Sequence, residues 1–109
     1  MSTLVAVYGS LKEGYGNHRL LLSSDKIGED WVEGWQMYSL GGFPAIVKGD
    51  SQVKVEIYSV DEETFSRLDR LEGYPSFYDR EKIETAEGSA WIYFHHDKPN
   101  APVVEDGDW

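Results

Sequence analysis

The chain has 109 residues, no cysteine, a formal net charge of −10, and 40% hydrophobic and 14% aromatic residues. This is expected to be one domain over 1–109, with a single modest core and enough apolar content to fold unaided. The missing cysteines exclude disulfides, thiol nucleophiles and cysteine-bound zinc, and so acidic a surface repels phosphate backbones and anionic lipid, so neither nucleic acid nor membrane is an expected partner.

Residues 3–8 form an almost unbroken apolar run, the pattern of a central strand covered on both faces. No basic n-region precedes it, and no apolar run approaches the ~20 residues of a membrane span, so a cytoplasmic protein is expected. Residues 9–16 are a glycine-punctuated loop. Asn17 is a suitable N-cap for a short helix over 18–23 whose Leu20, Leu21 and Leu22 pack inward. Residues 24–29 read as polar connection.

A strand is expected over 31–40, a turn at Gly41-Gly42-Phe43-Pro44, and a returning strand over 45–48. Gly49-Asp50-Ser51 reads as a further turn. Val53, Val55 and Ile57 then alternate with polar neighbours in a half-buried strand. Asp61 caps a second helix that Gly73 and Pro75 end. A weak strand at 80–85 and a strong one at 90–95 complete the sheet, and the Pro- and acid-rich tail from Lys98 has no regular pattern. The order β-α-β-β-β-α-β-β, mostly hairpin-linked, indicates an α+β fold whose mixed, curved sheet forms a small barrel-like unit with two helices.

One acidic residue stands in an unusual place. In the helix over 61–72, Phe65, Leu68 and Glu72 share one stripe at i, i+3 and i+7, while Arg67 and Arg70 face away beside Glu63 and Ser66. A carboxylate on the apolar stripe costs free energy unless paired or used. It also lies at the negative end of the helix dipole. Both effects disfavour the ionised form and raise the pKa, as a general acid/base at neutral pH requires. The plain alternative is a side chain solvated by fraying before Gly-x-Pro.

The second candidate is the loop Tyr8-Gly9-Ser10-Leu11. Glycine there lets the backbone turn its N–H groups toward a carboxylate or oxyanion. Neither GxxxxGK[ST] nor GxGxxG is present, so nucleotide binding has no support. A plain strand exit is the alternative for this loop.

The run Val5-Ala6-Val7-Tyr8-Gly9-Ser10-Leu11-Lys12 and the helix start at Asn17-His18 resemble the γ-glutamylcyclotransferase-like group. This group is also called AIG2-like and includes γ-glutamylamine cyclotransferases. The resemblance continues through Leu68-Asp69-Arg70-Leu71-Glu72-Gly73, Tyr78-Asp79-Arg80, Ala90-Trp91-Ile92-Tyr93 and Gly107-Asp108-Trp109, in order along essentially the whole chain. It implies a small mixed barrel with two helices, an active-site acid/base at Glu72, and a substrate loop at Tyr8, Gly9, Ser10 and Leu11. It further implies a reaction without cofactor on a small-molecule γ-glutamyl substrate, whose α-amine attacks its own side-chain carbonyl to give 5-oxoproline and a free amine. One departure is Val55, where the family carries glycine before Glu56-Ile57-Tyr58.

Tyr78, six residues past Glu72, is expected either to border the pocket with its hydroxyl or to pack in the core. His18 could assist Ser10 as a nucleophile, but no GxSxG elbow or orienting acid is evident. His95 and His96 point to opposite faces of a strand, and residues 105–108 lack a calcium-loop pattern, so no metal is expected. Tyr15, Trp31 and Trp35 read as core or rim. The rivals to an enzyme are a non-catalytic small-molecule binding module with the same pocket and a small interaction scaffold.

Overall fold

A computed structural model describes residues 3–109. The apolar run at the start becomes β1 (Thr3–Val7), the middle strand of a five-stranded sheet. It pairs antiparallel with β3 (Pro44–Val60) and parallel with β5 (Gly88–Phe94). Val5, Ala6 and Val7 are all buried, because the sheet is covered on both sides. Ala6 packs inside with Val32, Trp35, Met37, Ile46, Val55 and Ile92. Val5 and Val7 face Leu21, Tyr58, Leu68 and Tyr93 on the other surface, under α1 (Glu62–Glu72).

The strand order is β2-β3-β1-β5-β4, with β2 (Asp25–Ser39) and β4 (Asp79–Thr85) at the ends. The sheet curls until those ends meet. Ala86 N–H, at the tip of the β4–β5 hairpin, donates to Asp30 Oδ2 of β2 at 2.9 Å. His95 N–H donates to the Ile46 carbonyl of β3 at 2.9 Å, and Lys48 of β3 pairs with Glu81 of β4. Curling in this way leaves few unpaired strand edges. The mixed, barrel-like α+β expectation therefore holds.

Several local expectations are corrected. Residues 45–48 and the strand beginning near Val53 are one continuous strand, β3. Trp35 lies opposite both Lys48 and Ser51, so Gly49-Asp50-Ser51 forms a bulge that bends the hairpin where a turn was expected. Residues 25–29 open β2, and this stretch is mostly polar because that part of the edge strand is largely exposed.

The first helix is a 3-10 helix, Gly16–Leu21, preceded by Tyr15 with no side-chain cap. Three residues per turn cannot bring three consecutive leucines inward, and Leu20 is only partly buried against the core. Leu21 is buried, while Leu22 is 74% exposed. The tail is also pinned. Ser39 N–H donates to the Pro102 carbonyl and Val104 N–H to that of Met37, covering the edge of β2.

Candidate active site

The helix that carries Glu72 forms from local signals. Asp61 Oδ1 accepts the Thr64 N–H at 2.7 Å, which satisfies one of the free donors of the first turn. Arg67 pairs with Glu63 at 2.6 Å across one turn. Gly73, at φ +67°, closes the helix in the left-handed conformation. Leu68 on the same stripe is fully buried, and that burial draws Glu72, one turn on, toward the sheet.

Glu72 faces a cleft of about 270 Å³. Burial pushes its carboxyl up to about 7 from an ordinary 4.5, since the ionised form loses hydration that nothing replaces. Among the described residues it makes no ion pair, and no donor reaches it. Every other residue singled out as a candidate in the sequence lines the same cleft: Tyr8, Gly9, Ser10, Leu11 and Tyr78.

Three phenols surround the carboxyl, and each donates its proton elsewhere. Tyr8 donates to the Tyr93 carbonyl at 2.8 Å, Tyr78 to the Pro44 carbonyl at 3.1 Å, and Tyr93 to Asp69 Oδ1 at 2.7 Å. Burial is the main reason that all three titrate above the ordinary tyrosine range, with charge on Glu72 adding to it. They stay neutral at physiological pH. Tyr78 thus does both things the sequence allowed: it borders the cleft and packs in the core, at 4% exposure. Asp69 is itself held at 3.5 Å from Arg80, whose guanidinium stacks on Phe65, Tyr74 and Trp91 at 4.4, 4.2 and 4.6 Å.

The loop leaving β1 supplies the opposite wall. Its carbonyls are engaged: Gly9 accepts from Lys12 N–H, Ser10 from Asn17 N–H, and Leu11 lies 2.9 Å from His18 Nδ1. The N–H groups of Gly9, Ser10 and Leu11 have no partner among the described residues, so they are free to bind an anionic group. A Cβ on Gly9 would sit 2.8 Å from the Pro44 ring, so only glycine lets the loop lie this close to β3. His18 bonds the backbone and not Ser10, so the structure holds no Ser-His pair here.

Lys12, 7% exposed, anchors the loop to the tail through Asp108 Oδ1 at 3.1 Å. The Tyr15 hydroxyl adds a bond to the Trp109 carbonyl at 2.7 Å.

Other lining residues were given no role in the site by the sequence. Asn17 reads as a cap, yet its amide donates to Ser10 Oγ at 2.9 Å beneath the loop. Tyr93 lies within a strand whose neighbours are core. Phe43, Leu71 and Phe77 come from three separate segments. The local spacing of Glu72, the glycine of the first loop, Tyr78 and the family resemblance pointed to this place.

Comparison with known proteins agrees with the fold. The family described as "Gamma-glutamyl cyclotransferase, AIG2-like" matches residues 5–109. A Vibrio cholerae protein provisionally named a gamma-glutamylcyclotransferase is 40% identical over 111 residues, covering 100% of this chain and 96% of that protein. The Escherichia coli gamma-glutamylcyclotransferase family protein YtfP is 35% identical, covering 96% and 94% of the two chains. A Pyrococcus horikoshii crystal structure superposes with a TM-score of 0.89 at 37% identity, covering 98% of this chain and 89% of that one.

Proposed function

The chain belongs to the gamma-glutamyl cyclotransferase, AIG2-like family, and from that premise we propose that it cyclises a γ-glutamyl amide to 5-oxoproline and releases the amine, with Glu72 as the proton carrier. The observation that carries this reading is an unpaired carboxyl poised at about 7 in the same cleft as three unpaired backbone amides.

The substrate's α-ammonium gives a proton to ionised Glu72. The freed nitrogen attacks the γ-carbonyl carbon, forming the ring C–N bond. As the tetrahedral intermediate collapses, the old amide C–N bond breaks and Glu72 returns the proton to the departing nitrogen; it then takes the second proton that the ring nitrogen sheds and passes it on, so the products are a neutral lactam and an ammonium. Protons and electron pairs balance without a further reagent. Because the attack is intramolecular, the protein mainly has to hold the folded conformer, and effective molarities for such steps reach on the order of 10⁵ M or more. The amides of Gly9, Ser10 and Leu11 serve the substrate carboxylate or the developing oxyanion.

The test is a panel of γ-glutamyl amides with 5-oxoproline followed by mass spectrometry. Glu72→Gln is expected to lower kcat by roughly 10²–10⁴, the usual worth of a general acid/base. For the wild type, kcat/KM should rise with pH through a limb near 7, where Glu72 becomes ionised. Undiminished turnover in Glu72→Gln removes the carboxyl from the mechanism. Ligand-induced thermal shifts without product would instead identify a binding module.

A further inference from the structure

The cleft is divided by polarity. Its more sheltered part, the closed end, holds Gly9 and Leu11, which are buried, and Ser10, Asn17 and Glu72, which are half-buried. Its mouth holds Phe43, Leu71 and Phe77, which are 40%, 41% and 57% exposed and line the same cleft. Large side chains left open together at the rim of a cleft mark a contact surface for a ligand. Phe77 is also held in place, edge-on to Tyr78 at 5.1 Å and to His95 at 4.9 Å.

The charges around this mouth are one-sided. Glu72 is the only charged side chain among the lining residues, and the chain carries a net charge of −10. His95, packed against Phe77, has its pKa lowered by burial. No cationic group lines the cleft to receive an anion beyond the loop amides.

During cyclisation the substrate's ammonium, carboxylate and γ-carbonyl occupy the closed end. What meets the mouth is then the substituent on the departing nitrogen. We infer that Phe43, Leu71 and Phe77 form the leaving-group subsite, and that the released amine has an apolar alkyl or arylalkyl body without a carboxylate. This rests on the cyclotransferase reading. An apolar body covers the exposed rings and gains from their removal from water. A carboxylate there would find no cationic side chain in the lining to pair with and would cover none of the exposed rings.

The experiment compares γ-glutamyl-methylamide, γ-glutamyl-n-butylamide, γ-glutamyl-phenethylamide and γ-glutamyl-alanine as substrates of the wild-type protein. Phe77→Ser is then run on the same series. On the wild type, kcat/KM should rise by about two- to fourfold per added methylene, the fraction of full burial that a half-open rim allows. γ-Glutamyl-alanine should fall at least about tenfold below the n-butylamide. Phe77→Ser should compress the spread between the methylamide and the phenethylamide.

A flat series, or γ-glutamyl-alanine as the best substrate, overturns the subsite while leaving the cyclisation standing. The absence of 5-oxoproline from every member overturns the cyclisation, and the subsite with it. Phe77 is mostly exposed, so loss of fold in the variant is not expected, and the wild-type series tests the inference without it.

Discussion

In the role of proton carrier proposed for it, Glu72 has a cost in stability. Its carboxyl is raised to about 7 in the folded protein against 4.5 when exposed. The folded state therefore holds the proton more tightly than the unfolded chain. Below about pH 4.5 both states are protonated and the fold is undisturbed; between about 4.5 and 7 the unfolded chain ionises while the half-buried side chain keeps its proton, so stability falls until both states are ionised. Glu72→Gln keeps the shape and removes the charge. We expect its Tm to exceed that of the wild type at pH 8 by an amount worth on the order of 1–3 kcal/mol, and the difference to vanish near pH 4.5, as measured by thermal denaturation across pH. Equal Tm curves at both pH values would mean that Glu72 is hydrated. A residue that stabilises the fold when neutralised is typical of a site where function opposes stability.

At the scale of elements, the first loop depends on a tail far away in sequence. Lys12 is buried with Asp108 as its partner, and Tyr15 reaches the Trp109 carbonyl. Gly9, Ser10 and Leu11 lie directly before this anchor. Asp108→Ala leaves a buried ammonium unpaired. It should cost about 1–2 kcal/mol, less than a fully buried pair because Asp108 is partly exposed. Hydrogen exchange at the Gly9, Ser10 and Leu11 amides should quicken, and KM should rise while the pH limb of Glu72 stays in place. A shift of that limb would show that the tail acts on the carboxyl and not on the loop.

How much of each element was legible follows from the range of its causes. The second helix was readable because its cap, ion pair and stop all lie within the helix or beside it, at Asp61, Glu63 with Arg67, and Gly73. The bulge at Gly49-Asp50-Ser51 looked like a turn, since those residue types suit both. Which one forms depends on Trp35 across the hairpin. Asn17 looked like a cap, and only the neighbouring loop decides that its amide serves Ser10.

For the molecule as a whole, closure of the sheet and attachment of the tail rest on different contacts. Lys54 N–H donates to the Gly107 carbonyl at 2.8 Å, which presses the tail onto β3. Gly107 has φ +67°, and a Cβ on it would lie 2.1 Å from the Gln52 carbonyl oxygen. Neither the angle nor the contact suits another residue. Gly107→Ala should destabilise the protein by about 2–3 kcal/mol through backbone strain and displacement of the tail, read from denaturant unfolding. A loss under about 0.5 kcal/mol, the range of an ordinary surface substitution, would mean that the tail is dispensable to the fold. The barrel seams through Ala86 and His95 are separate from this contact.

By itself the sequence determined the elements and the chemistry each could offer. Periodicity put a carboxylate on a buried stripe, and a glycine after the central strand left amides free to bind an anion. Those properties depend on neighbours within a few residues. Only the tertiary structure decided that the two would share one cleft, that three phenols beside Glu72 would donate to other acceptors, and that Phe43, Leu71 and Phe77 would ring the mouth. These facts join positions dozens of residues apart, and the curl of the sheet alone sets the distances between them.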